Sequence, residues 1–302
     1  MKPLQLTGVI PPMITPLDAS RKVDAGAVTR LGTRLIDQGA DGLFVLGSSG
    51  EGPLLRRQER RDVVRAAAEA CRGRAPLLAG ALEASTGRTI EAAQDAAELG
   101  ADALVLTTPY YVLNDQAMAI RHVEAVLAAT DLPVMLYNIP SATGGYRFEP
   151  ETVLHLAAHP RIIGLKDSSG DLAAVQQTLR LTRHLDFAVF QGAERLCAIT
   201  LTMGAHGLVP GLGNVAPALL KRLYLAARAG DLATAMHCQD QVEALWHLHA
   251  PGHWLTNLKA AVGELGYGSG LALEPIPPAS PDQLHKIRRL LAEADLVPAQ
   301  QP

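Results

Sequence analysis

Gln38-Gly39-Ala40-Asp41 and Leu99-Gly100-Ala101-Asp102 are two copies of one joint. In each, a glycine closes a helical pattern, because glycine accepts the left-handed conformation of a helix end without strain, and an apolar run follows directly. A joint used twice marks a repeated βα unit. The chain around it has the same rhythm. Gly8–Ile14, Gly42–Leu46, Pro76–Gly80, Ala103–Leu106, Pro133–Tyr137, Ile162–Lys166, Phe187–Phe190 and Gly207–Val209 are short apolar runs separated by longer Ala-rich segments. Their apolarity is continuous, as expected of parallel strands covered on both faces. The segments between them read as helices. Arg57–Cys71 sets Val63, Ala67 and Ala70 at helical spacing, and Gln116–Ala129 does the same with Ile120, Val123 and Leu127. Ser85 and Asp171 stand where N-caps belong.

Eight such units match an α/β fold of the (β/α)8 TIM-barrel type. The rival is a doubly wound open sheet, which places a glycine-rich phosphate turn after its first strand. Here Pro11-Pro12 fills that region, and proline has no amide to offer a pyrophosphate. Beyond Gly230 the patterns are helical throughout: Leu232–His249, Trp254–Leu265 and Pro281–Ala294. The expected organisation is a catalytic barrel over 1–230 and a C-terminal helical extension over 231–302, within which Pro275, Pro277, Pro278 and Pro281 form a stiff connector.

Composition excludes several classes. The 302 residues are 48% hydrophobic but 4% aromatic, so the core is built from Ala, Leu, Val and Ile. Lys and Arg total 27 against 30 acidic residues, which leaves no basic excess for sequence-independent binding to nucleic acid. Three cysteines without CxxC spacing speak against a disulfide framework and a Cys-rich zinc site. No apolar run reaches the length of a membrane span. The segment from Met1 to Leu17 is interrupted by Pro3, Pro11, Pro12 and Pro16, unlike a signal-peptide core, so a cytoplasmic protein is expected.

In a barrel of this kind chemistry sits at the C-terminal ends of the strands. Lys166 is the anomaly there. It follows Ile162-Ile163-Gly164-Leu165, a strand buried on both faces, and lysine is almost never buried without a reason. Desolvation lowers an ammonium pKa and frees a nucleophilic amine, which is what a Schiff-base lysine needs. Position alone leaves a second reading open, a strand-end lysine that reaches solvent or pairs with Asp167. Tyr137 ends the neighbouring strand, where a phenol can shuttle protons or simply pack. Ser48-Ser49, between Gly47 and Gly50, supplies hydroxyls and amides suited to a carboxylate, although such loops are often plain turns. Glu51 has two readings, a base or a buried acceptor for loop amides, and the second fits its place better. His249 and His253 have the spacing of metal ligands on a helix, but Pro251 and Gly252 break the helix between them, so no metal site is expected. Gly211-Leu212-Gly213-Asn214 reads as a turn into a helix beginning near Val215.

Taken together, Gly47-Ser-Ser-Gly-Glu51, Thr108-Pro-Tyr-Tyr111, Tyr137-Asn-Ile-Pro140, Gly164-Leu-Lys-Asp167 and the Gly207–Pro217 segment resemble the dihydrodipicolinate synthase / N-acetylneuraminate lyase family of pyruvate-type class I aldolases. The likeness covers about residues 5–230, with a weaker helical tail. It implies a lyase that makes or breaks a bond to a pyruvate unit through a Lys166 imine, with no metal or organic cofactor. It implies that Tyr137 moves protons, that Ser48 links it to Tyr111 from a neighbouring subunit, and that Ser49 and Val209 hold the pyruvate carboxylate end. Glu194 and Ser168 fall near positions that contact the sugar in the sialic-acid lyase, and Gly192 joins them as substrate-binding. The implied partners are pyruvate, an aldehyde, and further copies of the chain in a homodimer or homotetramer. One departure bears on the substrate. Dihydrodipicolinate synthases proper carry Arg two residues after the Tyr-Asn-x-Pro proline; here Ala142 stands there. Losing a charge-assisted hydrogen bond costs ~1.5–3 kcal/mol. Lys166-Asp-Ser-Ser-Gly170 looks more like members acting on 2-keto-3-deoxy sugar acids. Condensation of pyruvate with aspartate semialdehyde is the alternative, and a non-catalytic pyruvate-binding protein is the alternative of another class.

Overall fold

The repeated joints do the same work twice. Gly39 and Gly100 end their helices at φ +98° and +89°. The aspartate two residues after each glycine then accepts an amide of a neighbouring strand: Asp41 takes Val9 N at 2.8 Å and Asp102 takes Leu77 N at 2.8 Å. The computed structural model describes residues 4–112, 115–250 and 252–297. Pro251, which bore on the histidine spacing, lies outside them. The strands are β1 (Gly8–Val9), β2 (Leu43–Val45), β3 (Leu77–Gly80), β4 (Ala103–Thr107), β5 (Val134–Asn138), β6 (Ile162–Asp167), β7 (Ala188–Gln191) and β8 (Gly207–Leu208). Each lies within an apolar run of the sequence or extends it by a residue. The helices of the repeat are α1 (Ala25–Asp37), α2 (Arg57–Cys71), α3 (Thr86–Glu98), α4 (Gln116–Ala129), α5 (Pro150–Ala157), α6 (Leu172–Thr182), α7 (Cys197–Thr202) and α8 (Pro217–Ala229). Ser85 and Asp171 cap α3 and α6 through Arg88 N and Ala174 N.

The eight strands pair in parallel in the order β1-β8-β7-β6-β5-β4-β3-β2. The residues after β1 close the ring onto β2: Phe44 N donates to Pro11 O at 3.1 Å and Met13 N donates to Phe44 O at 2.7 Å. The two prolines spoil nothing there, because their carbonyls, not their nitrogens, make the bonds. Pro12 O accepts Asn214 Nδ2 at 2.9 Å, which ties β1 to the loop after β8. The closed ring makes the fold a (β/α)8 barrel. Its interior is filled by Ile10, Phe44, Leu78, Val105, Met135 and Phe190, among others, and a second apolar layer lies between strands and helices. Gly164 is fixed by contact: a β-carbon there would lie 2.4 Å from Ala188 O on β7.

Past the barrel come α9 (Leu232–Trp246), α10 (Trp254–Glu264) and α11 (Pro281–Glu293). A 3-10 turn at His247–His249 ends the pattern that the sequence reads as one helix, and a second at Gly211–Asn214 delays α8 to Pro217. Cys238, Val242, Leu245 and Leu258 share the outer apolar layer with barrel residues, so this extension packs into the barrel's own core. One ionic contact fastens it from inside. Lys259 on α10, 1% exposed, pairs with Glu51 and donates to Thr15 O at 2.8 Å. Glu51 also accepts Leu273 N at 2.6 Å. Glu51 is thus a buried acceptor, but its partners come from the C-terminal segment and not from its own loop.

Removing one member of such a pair strands the other charge in an apolar interior, which typically costs ~3–5 kcal/mol. Lys259→Met is expected to lower unfolding stability by about that amount in urea titrations, and Glu51→Gln/Lys259→Met to recover part of the loss. A single variant within ~0.5 kcal/mol of the parent contradicts this role.

Candidate active site

Lys166 projects from β6 into the barrel, in register with Tyr137 on β5 and Phe190 on β7. It is 3% exposed, so its ammonium does not reach solvent. Its Nζ lies 4.1 Å from the centre of the Tyr137 ring and 5.0 Å from that of Phe44. The two rings meet edge to face at 6.2 Å. Among the described residues no carboxylate stands within ion-pair distance of it. Burial therefore holds its pKa below the ordinary 10.5, with the charge and hydrogen bond of Tyr137 and the charge of Glu194 opposing. Asp167 faces the other way. Its Oδ1 accepts Ser169 N at 2.9 Å and Ser169 Oγ at 2.6 Å, and its Oδ2 accepts Asn138 Nδ2 at 3.2 Å. Both alternatives for Lys166, reach to solvent and pairing with Asp167, are thereby excluded. Gly192 leaves the space the lysine needs, since a β-carbon there would lie 3.0 Å from Lys166 Cε and 2.1 Å from Ser168 Oγ.

The loop after β2 carries Ser48 and Ser49. It is pinned on one side by Thr15 Oγ1, which donates to Gly50 O at 2.6 Å, and on the other by the Glu51–Lys259 contact. Ser49 is buried. A β-carbon at Gly211 would stand 3.9 Å from Ser49 Oγ and 3.2 Å from Glu194 Oε1, so the ends of β2, β7 and β8 converge there. Ser48 lines a cavity of about 260 Å3, together with Thr107, Tyr110, Ile139 and Ala142. Val209 is buried at the end of β8 and gives its amide to Gln191 O at 2.8 Å, which leaves its carbonyl for a ligand.

The adjacent rings after β4 part company. Tyr110 packs on its own barrel and donates its hydroxyl to Leu82 O at 3.2 Å. Tyr111, at φ +75°, is 97% exposed and does not join Lys166 within its own chain.

Glu194 is more heavily engaged than its sequence position suggests. Oε1 accepts Leu212 N at 2.6 Å and Oε2 pairs with His249 Nε2 at 2.7 Å. Sequence reasoning missed Phe44, Thr107 and Ile139 in the barrel, and it gave no site role to several residues of the C-terminal segment. The latter are Lys259, His249, and the stacked pair His253–Trp254, whose rings lie 6.0 Å apart and which line the cavity. The clustered histidines were the visible signal. His249 turns to Glu194, and His253 turns to Trp254.

The arrangement is a buried amine, a phenol beside it, and a hydroxyl-bearing loop, all at the C-terminal mouth of a barrel. The model of the dihydrodipicolinate synthetase family matches residues 5–294. The chain is 36% identical over 294 residues to an uncharacterised DapA-like lyase of Halobacterium salinarum, covering 97% of this chain and 94% of the relative. It is 36% identical over 285 residues to a 4-hydroxy-tetrahydrodipicolinate synthase of Mycolicibacterium paratuberculosis, covering 94% of each. Among solved structures it is similar to YagE, a prophage protein from E. coli K12 in complex with pyruvate (TM-score 0.92, 32% identity, 97% of this chain and 100% of that one). It is also similar to a monomeric dihydrodipicolinate synthase variant (TM-score 0.91, 28% identity, 97% and 98%). The chain belongs to the dihydrodipicolinate synthetase family. It is accordingly a lyase of the Schiff-base-forming kind, a family whose chemistry runs through a pyruvate imine on a lysine and needs no external cofactor.

A lysine whose folded pKa lies below 10.5 binds fewer protons folded than unfolded at lower pH. Stability then rises with pH up to the unfolded value, so burying Lys166 costs stability at neutral pH. Lys166→Met is expected to raise Tm at pH 7, with a gain that shrinks as pH approaches 10.5. An equal gain at both ends of that range contradicts the burial penalty.

Proposed function

We propose that Lys166 is the imine-forming lysine of a class I aldolase that cleaves, or in reverse assembles, a 2-keto-3-deoxy acid with a hydroxyl on C4. The observation that carries this is a fully buried amine that faces aromatic rings and no carboxylate. Its neutral form attacks the C2 carbonyl, water leaves, and the imine forms. Tyr137 takes the proton of the C4 hydroxyl. The C3–C4 bond breaks, its electrons pass to the imine, and an aldehyde departs. The enamine then gains a proton at C3 through Tyr137, and water releases pyruvate and restores the amine.

Ser49 and the Val209 carbonyl hold the carboxylate end. Gly192 and Ser168 shape the floor beside Lys166, and Glu194 sets the β8 loop through Leu212 N. Ser48 carries the hydrogen-bond path from Tyr137 to Tyr111 of a second copy, and the exposed ring of Tyr111 supports this reading. The working species is then a homodimer or homotetramer in the cytoplasm. The described helices include none long and apolar enough to cross a membrane, which fits. Condensation of pyruvate with aspartate semialdehyde has the names of relatives on its side. It has Ala142 against it, because no guanidinium stands there for a second carboxylate.

The test is pyruvate release from a panel of 4-hydroxy-2-oxo acids. Release is expected from the parent chain, with kcat lowered roughly 10²–10⁴-fold by Tyr137→Phe. Lys166→Ala and Tyr111→Phe chains, each inactive alone, are expected to regain activity when their subunits are exchanged. A near-normal rate for Tyr137→Phe makes that ring packing only. Heterodimers without activity place Tyr111 outside the shared site.

A further inference from the structure

The cavity beside Lys166 bears on which aldehyde leaves. Its inner wall holds Ser48, Thr107 and Ile139, and Thr107 is in register with Tyr137, as Tyr137 is with Lys166. The cavity thus adjoins the strand ends that carry Tyr137 and Lys166.

We infer that the group carried by C4 enters this cavity and is uncharged and apolar, a small ring or a short alkyl chain, and not a polyhydroxylated or anionic one. This rests on the proposed role of Lys166 and narrows it. Three observations carry it. First, no lysine or arginine lines the cavity among the described residues, and Ala142 sits in its wall. A carboxylate or phosphate entering here would lose its hydration without a partner.

Second, the wall is largely Leu82, Ile139, Ala142, Trp254, Leu255 and Ile276. Several of its polar side chains are already committed to the protein. Glu51 is held by Lys259 and Leu273 N, Tyr110 donates to Leu82 O, and Thr143 Oγ1 donates to Ile139 O and Tyr146 O. His253 lies flat on Trp254. The hydroxyls of a polyol need a partner each, and a buried hydroxyl without one is penalised. An apolar group loses nothing and gains by leaving water.

Third, the cavity measures about 260 Å3. That is room for a small ring or a short chain beside the reacting atoms.

The reaction is the retro-aldol step given above. The C3–C4 bond breaks, the hydroxyl proton leaves with Tyr137, and the aldehyde keeps the apolar group.

The experiment uses the full-length parent chain and 4-hydroxy-2-oxobutanoates bearing phenyl, propyl, dihydroxyethyl or carboxymethyl at C4. Pyruvate is read by a coupled dehydrogenase. The phenyl and propyl acids are expected to exceed the other two in kcat/KM by at least about tenfold. Ala142→Arg is expected to shift that ratio toward the carboxymethyl acid. Equal or better turnover of the dihydroxyethyl or carboxymethyl acid overturns the inference. Exchange of the pyruvate methyl protons in deuterium oxide, measured without any aldehyde, separates the two levels. Exchange that persists while the polar acids win, or while none of the four is cleaved, overturns the aldehyde assignment alone. No exchange overturns the role of Lys166 and this inference with it.

Discussion

An amine sealed inside an apolar barrel, with aromatic faces for neighbours, is the constraint on which the site depends. Lys259 shows what the alternative looks like in the same molecule. Both lysines are buried, and burial lowers the pKa of both. Lys259 meets Glu51 and a carbonyl, so its ammonium is compensated and its role is to hold structure together. Lys166 meets the rings of Tyr137 and Phe44 and no carboxylate within ion-pair distance among the described residues, so burial outweighs the opposing pull of Tyr137 and Glu194 and shifts it toward its neutral, nucleophilic form. Keeping it so requires that Asp167 be turned away and occupied by Ser169 and Asn138. It also requires that Gly192, just after β7, carry no side chain.

The acids nearest the mouth are managed in the same spirit. Glu51 and Glu194 lie in the loops after β2 and β7, and the charge of Glu194 favours the charged form of Lys166. Each is engaged by the C-terminal helices, Glu51 by Lys259 on α10 and Glu194 by His249 in the turn after α9. The same helices bring Trp254 and His253 to the cavity wall. The extension therefore does more than cover the barrel. It fixes the loop that carries Ser48 and Ser49, occupies two acids, and sets the polarity of the space a substrate would enter.

The barrel was legible in the chain because each strand is buried on both faces and so is written as an unbroken apolar run. Arg57–Cys71 and Gln116–Ala129 were readable to the residue, since charge and apolar side chains alternate there at helical spacing. Lys166 stood out because a lysine in an apolar strand is a contradiction that composition alone exposes. What stayed hidden depends on distance along the chain. Glu51 and Lys259 are 208 residues apart, and Glu194 and His249 are 55 apart, so no local pattern joins them. The fates of Tyr110 and Tyr111 differ through one backbone angle, the positive φ of Tyr111, which nothing in a Tyr-Tyr pair announces. The turn at Gly211–Asn214 was legible as a turn, with its helix starting two residues later than read, whereas the turn at His247–His249 was read as helix, because a short helical turn and the end of an α-helix share one sequence pattern.

The account stands on Lys166 being the amine that meets pyruvate. Incubation with pyruvate and borohydride, followed by peptide mass spectrometry, tests this most directly, because reduction freezes an imine as a stable secondary amine. The expected result is one adduct, on the peptide containing Lys166, absent in Lys166→Ala. An adduct on Lys259 or Lys221 in place of Lys166, or no adduct at all, contradicts the account.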